Sequence, residues 1–88
     1  FFVDAYYNLG FIHNQQNEFE KAKDILLKAI NLDPEDIQAH FELARAYKGL
    51  GDKDKAKQEF WFVLNRIDLT NIEERKKIEN ELFELMEE

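Results

Sequence analysis

Shifted by 34 residues, the chain lines up with itself. Ala5 falls on Ala39, Tyr7 on Phe41, Leu9 on Leu43 and Gly10 on Ala44. Further along, Asn17 falls on Gly51, Lys21-Ala22-Lys23 on Lys55-Ala56-Lys57, Leu26 on Phe60 and Asn31 on Asn65. Small side chains meet small ones and large meet large. A unit of that size cannot bury its apolar face alone and must stack on a neighbour. The 88 residues hold two such units and a remainder, which is enough for one domain. A chain this short buries only about 60–65% of the surface it exposes when unfolded, so its stability margin is thin.

The repeating unit reads as helical. Its breakers are few: Pro34, Gly10, Gly49 and Gly51. Apolar and small residues recur at helical intervals, as in Ala5, Tyr6, Leu9 and His13, or Ala22, Leu26, Ala29 and Ile30. No segment alternates with period two. The pattern predicts five helices, at about 3–16, 18–31, 35–49, 53–66 and 71–87, with short links that make neighbours antiparallel. Asp33 before Pro34 is the expected cap of the third helix, because a carboxylate accepts a free backbone N–H and proline costs nothing at the first helical position. Glu35 and Asp36 follow in the first turn, where the helix dipole favours anions. Thr70 and Glu73 have the spacing of a capping box for the fifth helix. Asn17 and Gly51 are the residues expected to turn each hairpin with positive φ.

The paired helices resemble the tetratricopeptide repeat family, whose signature runs W-x2-L-G-x2-Y, then A-x3-F, then P. The first unit reads Tyr6-x2-Leu9-Gly10-x2-His13, Ala22-x3-Leu26, Ala29 and Pro34. The second reads His40-x2-Leu43-Ala44-x2-Tyr47, Ala56-x3-Phe60 and Val63, with Asp68 where proline would stand. Histidine replaces an aromatic once in each unit. The resemblance covers residues 3–70 and implies an all-α, right-handed α-α superhelix of two stacked hairpins. The expected layout is a single domain over 1–88, with repeats at 3–36 and 37–70 and a C-terminal capping helix at 71–88. Gly10, Ala22, Ala29, Ala44 and Ala56 are small where helix axes must approach, and Tyr6, Leu26, Tyr47 and Phe60 fill the space between hairpins.

The last segment departs from the period. Glu74, Lys77 and Glu81 stand where the signature has large apolar residues. Ile78, Leu82 and Leu85, extended by Ile72 and Met86, form one apolar stripe, and the other face carries Glu73, Arg75, Lys76, Lys77, Glu79 and Glu84. Glu73 and Lys77 can pair one turn apart. The expectation is a helix that covers the second repeat. No comparable cap precedes the first. About three repeats usually make a stable stack, so the N-terminal hairpin is expected either to adjoin further repeats or to self-associate.

Composition narrows the function. The net charge is −7, and no face offers the Lys/Arg cluster that binding phosphates requires, which argues against nucleic acid and against anionic membrane surfaces. No apolar run approaches the ~20 residues that span a bilayer. Cysteine is absent, which removes disulfides and thiolate metal sites. Its absence fits a reducing compartment and favours the cytoplasm, although the sequence carries no address. Phe1-Phe2-Val3-Asp4 lacks an initiator methionine and the pattern of a signal peptide, and reads as the start of a fragment or of a processed product.

Nothing in the chain assembles a catalytic centre. There is no serine and no cysteine for nucleophilic chemistry, and no glycine-rich phosphate loop. His13 and His40 stand 27 residues apart at interior positions, where they read as aromatic substitutes rather than a zinc pair. Asp52-Lys53-Asp54-Lys55 reads as a charged turn, without the glycine and closing glutamate of a calcium loop. No cofactor is expected.

Surface remains. The resemblance implies that the first helix of each hairpin lines a concave groove for an extended peptide or a partner helix. Carried onto this chain, that groove takes Asp4, Tyr7, Asn8, Phe11, Asn14 and Gln15 from the first repeat, and Gln38, Phe41, Glu42, Arg45 and Lys48 from the second. The expected protein-binding residues are Asp4, Tyr7, Phe11, Gln38, Phe41, Arg45 and Lys48. Aromatics rimmed by polar side chains are the material of binding hot spots, and Arg45 and Lys48, one turn apart, are expected to form a cationic edge for a carboxylate or phosphate. The Lys/Asn clamp of one family subtype is not reproduced: Tyr7, Phe11 and Glu42 stand at its places. A second candidate surface, Trp61-Phe62 with Leu27, is expected on the second helices, towards the convex side or the seam with the last helix, with Trp61 covered by that helix or by a neighbouring repeat. The reading is a non-enzymatic module that binds a protein or peptide partner. The alternative is a self-assembly segment forming a homodimer or other homo-oligomer through Phe1, Phe2, Tyr6 and Phe11.

Overall fold

The structure, a computed structural model, describes residues 2–87. Phe1, one of the expected assembly aromatics, and Glu88, the end of the expected cap, lie outside the described residues. Five helices follow in order: α1 (Phe2–Gln15), α2 (Phe19–Leu32), α3 (Ile37–Gly49), α4 (Lys53–Arg66) and α5 (Ile72–Met86). There is no strand among the described residues. The helix α1 pairs with α2 and α3 with α4; the two hairpins meet chiefly through α2 and α3, and α5 lies on α4.

Local chemistry sets the turns. Asn17 (φ 61°) and Gly51 (φ 82°) reverse the chain inside each hairpin; asparagine and glycine tolerate that left-handed conformation best. The cap of α3 is Asp36, not Asp33: its carboxylate accepts from the Gln38 and Ala39 backbone N–H groups. Asp33 instead folds the turn before it, accepting the Glu35 N–H at 3.2 Å. The cap of α5 is Asn71, which accepts the Glu74 N–H at 3.4 Å, while Thr70 bonds back to Asp68 at 2.8 Å. In both places two nearby residues of capping type competed, and the later one won.

The seams are built from small residues. Ala22, Ala29, Ala44 and Ala56 are wholly buried. A Cβ on Gly10 would come within 2.5 Å of the Leu26 side chain, so α1 and α2 touch closely there. Leu26, Leu43, Phe60, Val63 and Ile78 are the largest fully buried side chains and join all but α1 into one core. The cap packs through Ile78, Leu82 and Leu85. Ile72 and Met86, expected in the same stripe, are instead exposed, because they lie at the helix ends beyond the reach of α4.

Equivalent positions in the two hairpins differ sharply. Leu43 is 1% exposed and Leu9 is 41%. Ala39 and Ala46 are buried, whereas Ala5 and Ile12 face solvent. The row on α3 is covered by the first hairpin. The matching row on α1 has nothing over it.

Candidate functional site

Helices α1, α3 and α5 surround a cavity of about 630 Å3, with the end of α4 at its base. Five of the seven residues singled out from sequence line it: Tyr7, Phe11, Gln38, Phe41 and Arg45. They share it because Tyr7 and Phe11 are one turn apart on α1, as Phe41 and Arg45 are on α3. Tyr7 and Phe11 stack with ring centroids 6.5 Å apart. Burial raises the Tyr7 hydroxyl above its ordinary range, helped by the negative charge of Glu42. The phenol therefore stays neutral and able to donate.

Phe41 has two roles. It is half-buried, and its ring meets Phe60 edge-on at 5.8 Å. It therefore supports the core while forming the groove floor, and is less free than the repeat pattern suggests. On its open side the Lys77 ammonium stands 5.7 Å from the ring centroid, a distance at which cation and ring attract.

The remaining two residues lie elsewhere. Asp4 is exposed on α1 and does not reach the cavity. Lys48 is held by α5, donating to Glu84 at 2.8 Å and to Glu81. Burial pulls its ammonium down, but the bonds to Glu81 and Glu84 outweigh that and hold it above its ordinary range. In this cavity Arg45 is joined by Lys77, while Arg45 and Lys48 line a separate cleft with Asn14 and Glu81. Arg45 sits 3.7 Å from Glu42 with its side chain 37% exposed.

Two more residues placed in the groove turn inward. The Asn14 amide donates to the Glu42 backbone carbonyl and to its carboxylate, each at 2.9 Å. Both side chains are buried and tie α1 to α3, and Glu42 also forms part of the cavity wall. The Asn14 Oδ1 has no partner among the described residues.

Sequence reasoning missed the wall that α5 supplies through Asn71, Glu74 and Lys77. A signal existed, since Lys77 falls in the period where Leu9 and Leu43 stand. A cation at a core position means that the helix has rotated and presents that residue to water. The second apolar group is also arranged differently. Trp61, expected beneath a cover, is 48% exposed, and Leu27 is 42% exposed. Phe62 is sandwiched between the His40 ring, 3.7 Å away, and the Arg66 guanidinium at 3.5 Å. His40 also donates from Nε2 to the Pro34 carbonyl at 2.8 Å and contacts Glu59 at 2.5 Å through Nδ1. His13 meets Glu18 at 2.9 Å. Each histidine is held by its own carboxylate, within a different hairpin.

Two family models, both described as tetratricopeptide repeat, match residues 3–36 and 25–58. The chain belongs to the tetratricopeptide repeat family. Repeats of this family generally mediate protein–protein interaction and are typically not enzymes. A search of curated proteins finds no match. No helix among the described residues is long and apolar enough to cross a membrane.

Proposed function

We propose that the cavity between α1, α3 and α5 is a docking groove for an extended peptide or a helix of a protein partner. One observation carries this reading. The stacked Tyr7–Phe11 pair faces the same cavity as Phe41 and its Lys77 cation, so apolar floor and polar rim converge in one place. Large aromatics bury much area at little entropic cost, and a prearranged receptor spends little ordering free energy on binding. The neighbouring cations, Arg45 and Lys77, would orient a visitor that carries a carboxylate beside an apolar side chain. An enzymatic reading has no comparable support, because no Ser, Cys or His is among the residues that line the cavity.

The experiment is a selection of displayed random peptides on the immobilised chain, followed by calorimetric titration of a selected peptide. Phe11→Ala is expected to weaken binding at least about ten-fold and Lys77→Met by a smaller factor, with helical circular dichroism unchanged. Peptides that bind Phe11→Ala as well as the parent, or lose affinity only with Trp61→Ala, would move the site off the groove.

A further inference from the structure

We propose that the uncovered row on α1 is a contact surface for a second copy of this chain, giving a two-fold dimer joined through its N-terminal hairpins. The row consists of Phe2, Ala5, Leu9 and Ile12, spaced to share one helix face, and Phe2, Leu9 and Ile12 are 76%, 41% and 48% exposed. At 100° per residue it lies on the far side of α1 from Tyr7 and Phe11. The groove therefore stays open in the dimer, and the two sites can fail separately.

The molecule itself shows that such a row accepts a helical cover. Its counterpart on α3, Ala39, Leu43 and Ala46, is buried where the first hairpin crosses it. Ile12, however, replaces the buried Ala46. The added bulk prevents another helix from lying as close as α2 lies on α3, so a copy of the internal seam does not fit. Two α1 helices crossing each other, with Leu9 and Ile12 of each filling the space beside the other, accommodate that bulk.

Charge favours the same partner. The chain carries −7 overall, so two copies repel except where charge is sparse. Asp4 is the only Asp, Glu, Lys or Arg in α1. Helix α5, at the opposite end, carries eight such residues in its 15. Because α5 already covers α4, the internal seam is not offered again at that end, where exposed Phe83 and Met86 stand among charges. A contact that uses the same face of α1 on both copies closes at two.

Sedimentation equilibrium of the 88-residue chain over a wide concentration range tests this. The expected result is a monomer–dimer equilibrium with no larger species. Leu9→Glu should raise the dissociation constant at least about 100-fold, with helical circular dichroism and thermal midpoint retained. Should Leu9→Glu fail to fold, Ile12→Gln at the more exposed site serves instead, with the same direction expected. A monomer at every concentration, stacks that grow without limit, or a dimer that survives a folded Leu9→Glu or Ile12→Gln would each overturn the proposal.

Discussion

The two hairpins are near-copies in sequence and unlike in environment. Leu43 is sealed and Leu9 open, although both occupy the same place in the unit. The difference comes from neighbours: α3 packs on the first hairpin as well as on its own partner α4, whereas the Leu9 side of α1 has nothing over it. In a stacked architecture, then, a side chain's contribution to stability is set by its position in the stack as much as by its position in the repeat.

The comparison breaks first in the core. Phe60→Ala should remove about 4 kcal/mol, a large share of the 5–15 kcal/mol typical of a domain; urea denaturation would read it as a lowered midpoint. Next come the matched leucines. Leu43→Ala is expected to cost about 3 kcal/mol and Leu9→Ala less than about 1 kcal/mol, measured at concentrations where the chain is monomeric. Equal losses would mean that the open row is covered after all.

A finer test exchanges the small residues. Gly10→Ala adds a methyl against Leu26, and overpacking of about 1–3 kcal/mol should exceed the helix-propensity gain of about 1 kcal/mol. Ala44→Gly, at the matching place in the second hairpin, should lose about 1–2 kcal/mol, through helix propensity and through the buried methyl it removes. Both substitutions then lower the thermal midpoint, for opposite reasons.

The smallest effect concerns the far end. Lys48→Met severs the link to Glu81 and Glu84 and should cost less than about 1 kcal/mol, since the ion pairs are partly exposed. The pH dependence has a definite sign. The folded chain holds the ammonium above its ordinary range, so the stabilisation is whole below that range and is lost as pH climbs through the raised value. Denaturation midpoints of parent and Lys48→Met should keep their difference up to about pH 10 and converge only above it.

These contrasts also show what the sequence could reveal. The hairpins, the close approach at Gly10 and the turns at Asn17 and Gly51 were legible because each demands a particular residue at a repeating interval. Caps were legible only to within a few residues, since Asp33 and Asp36 offer the same chemistry. The aromatic side of the groove followed from helix geometry on α1 and α3. Its third wall did not, because the rotation of α5 depends on how Ile78, Leu82 and Leu85 seat on α4, and that seat is tertiary. The capture of Lys48 by Glu81 and Glu84 likewise joins residues more than 30 apart in the chain, beyond any local pattern. Trp61 was expected beneath a cover and has none, for the same reason.

The central claim is that a peptide docks on the concave side, and not on the convex side or on the α1 row proposed to meet a second copy. Amide chemical-shift mapping of the chain with a selected peptide tests it most directly. The account predicts that the perturbed residues cluster around Tyr7, Phe11, Phe41, Arg45 and Lys77, leaving Leu27 and Trp61 unchanged. Perturbations centred on Leu27 and Trp61, or on Leu9 and Ile12 alone, would contradict it.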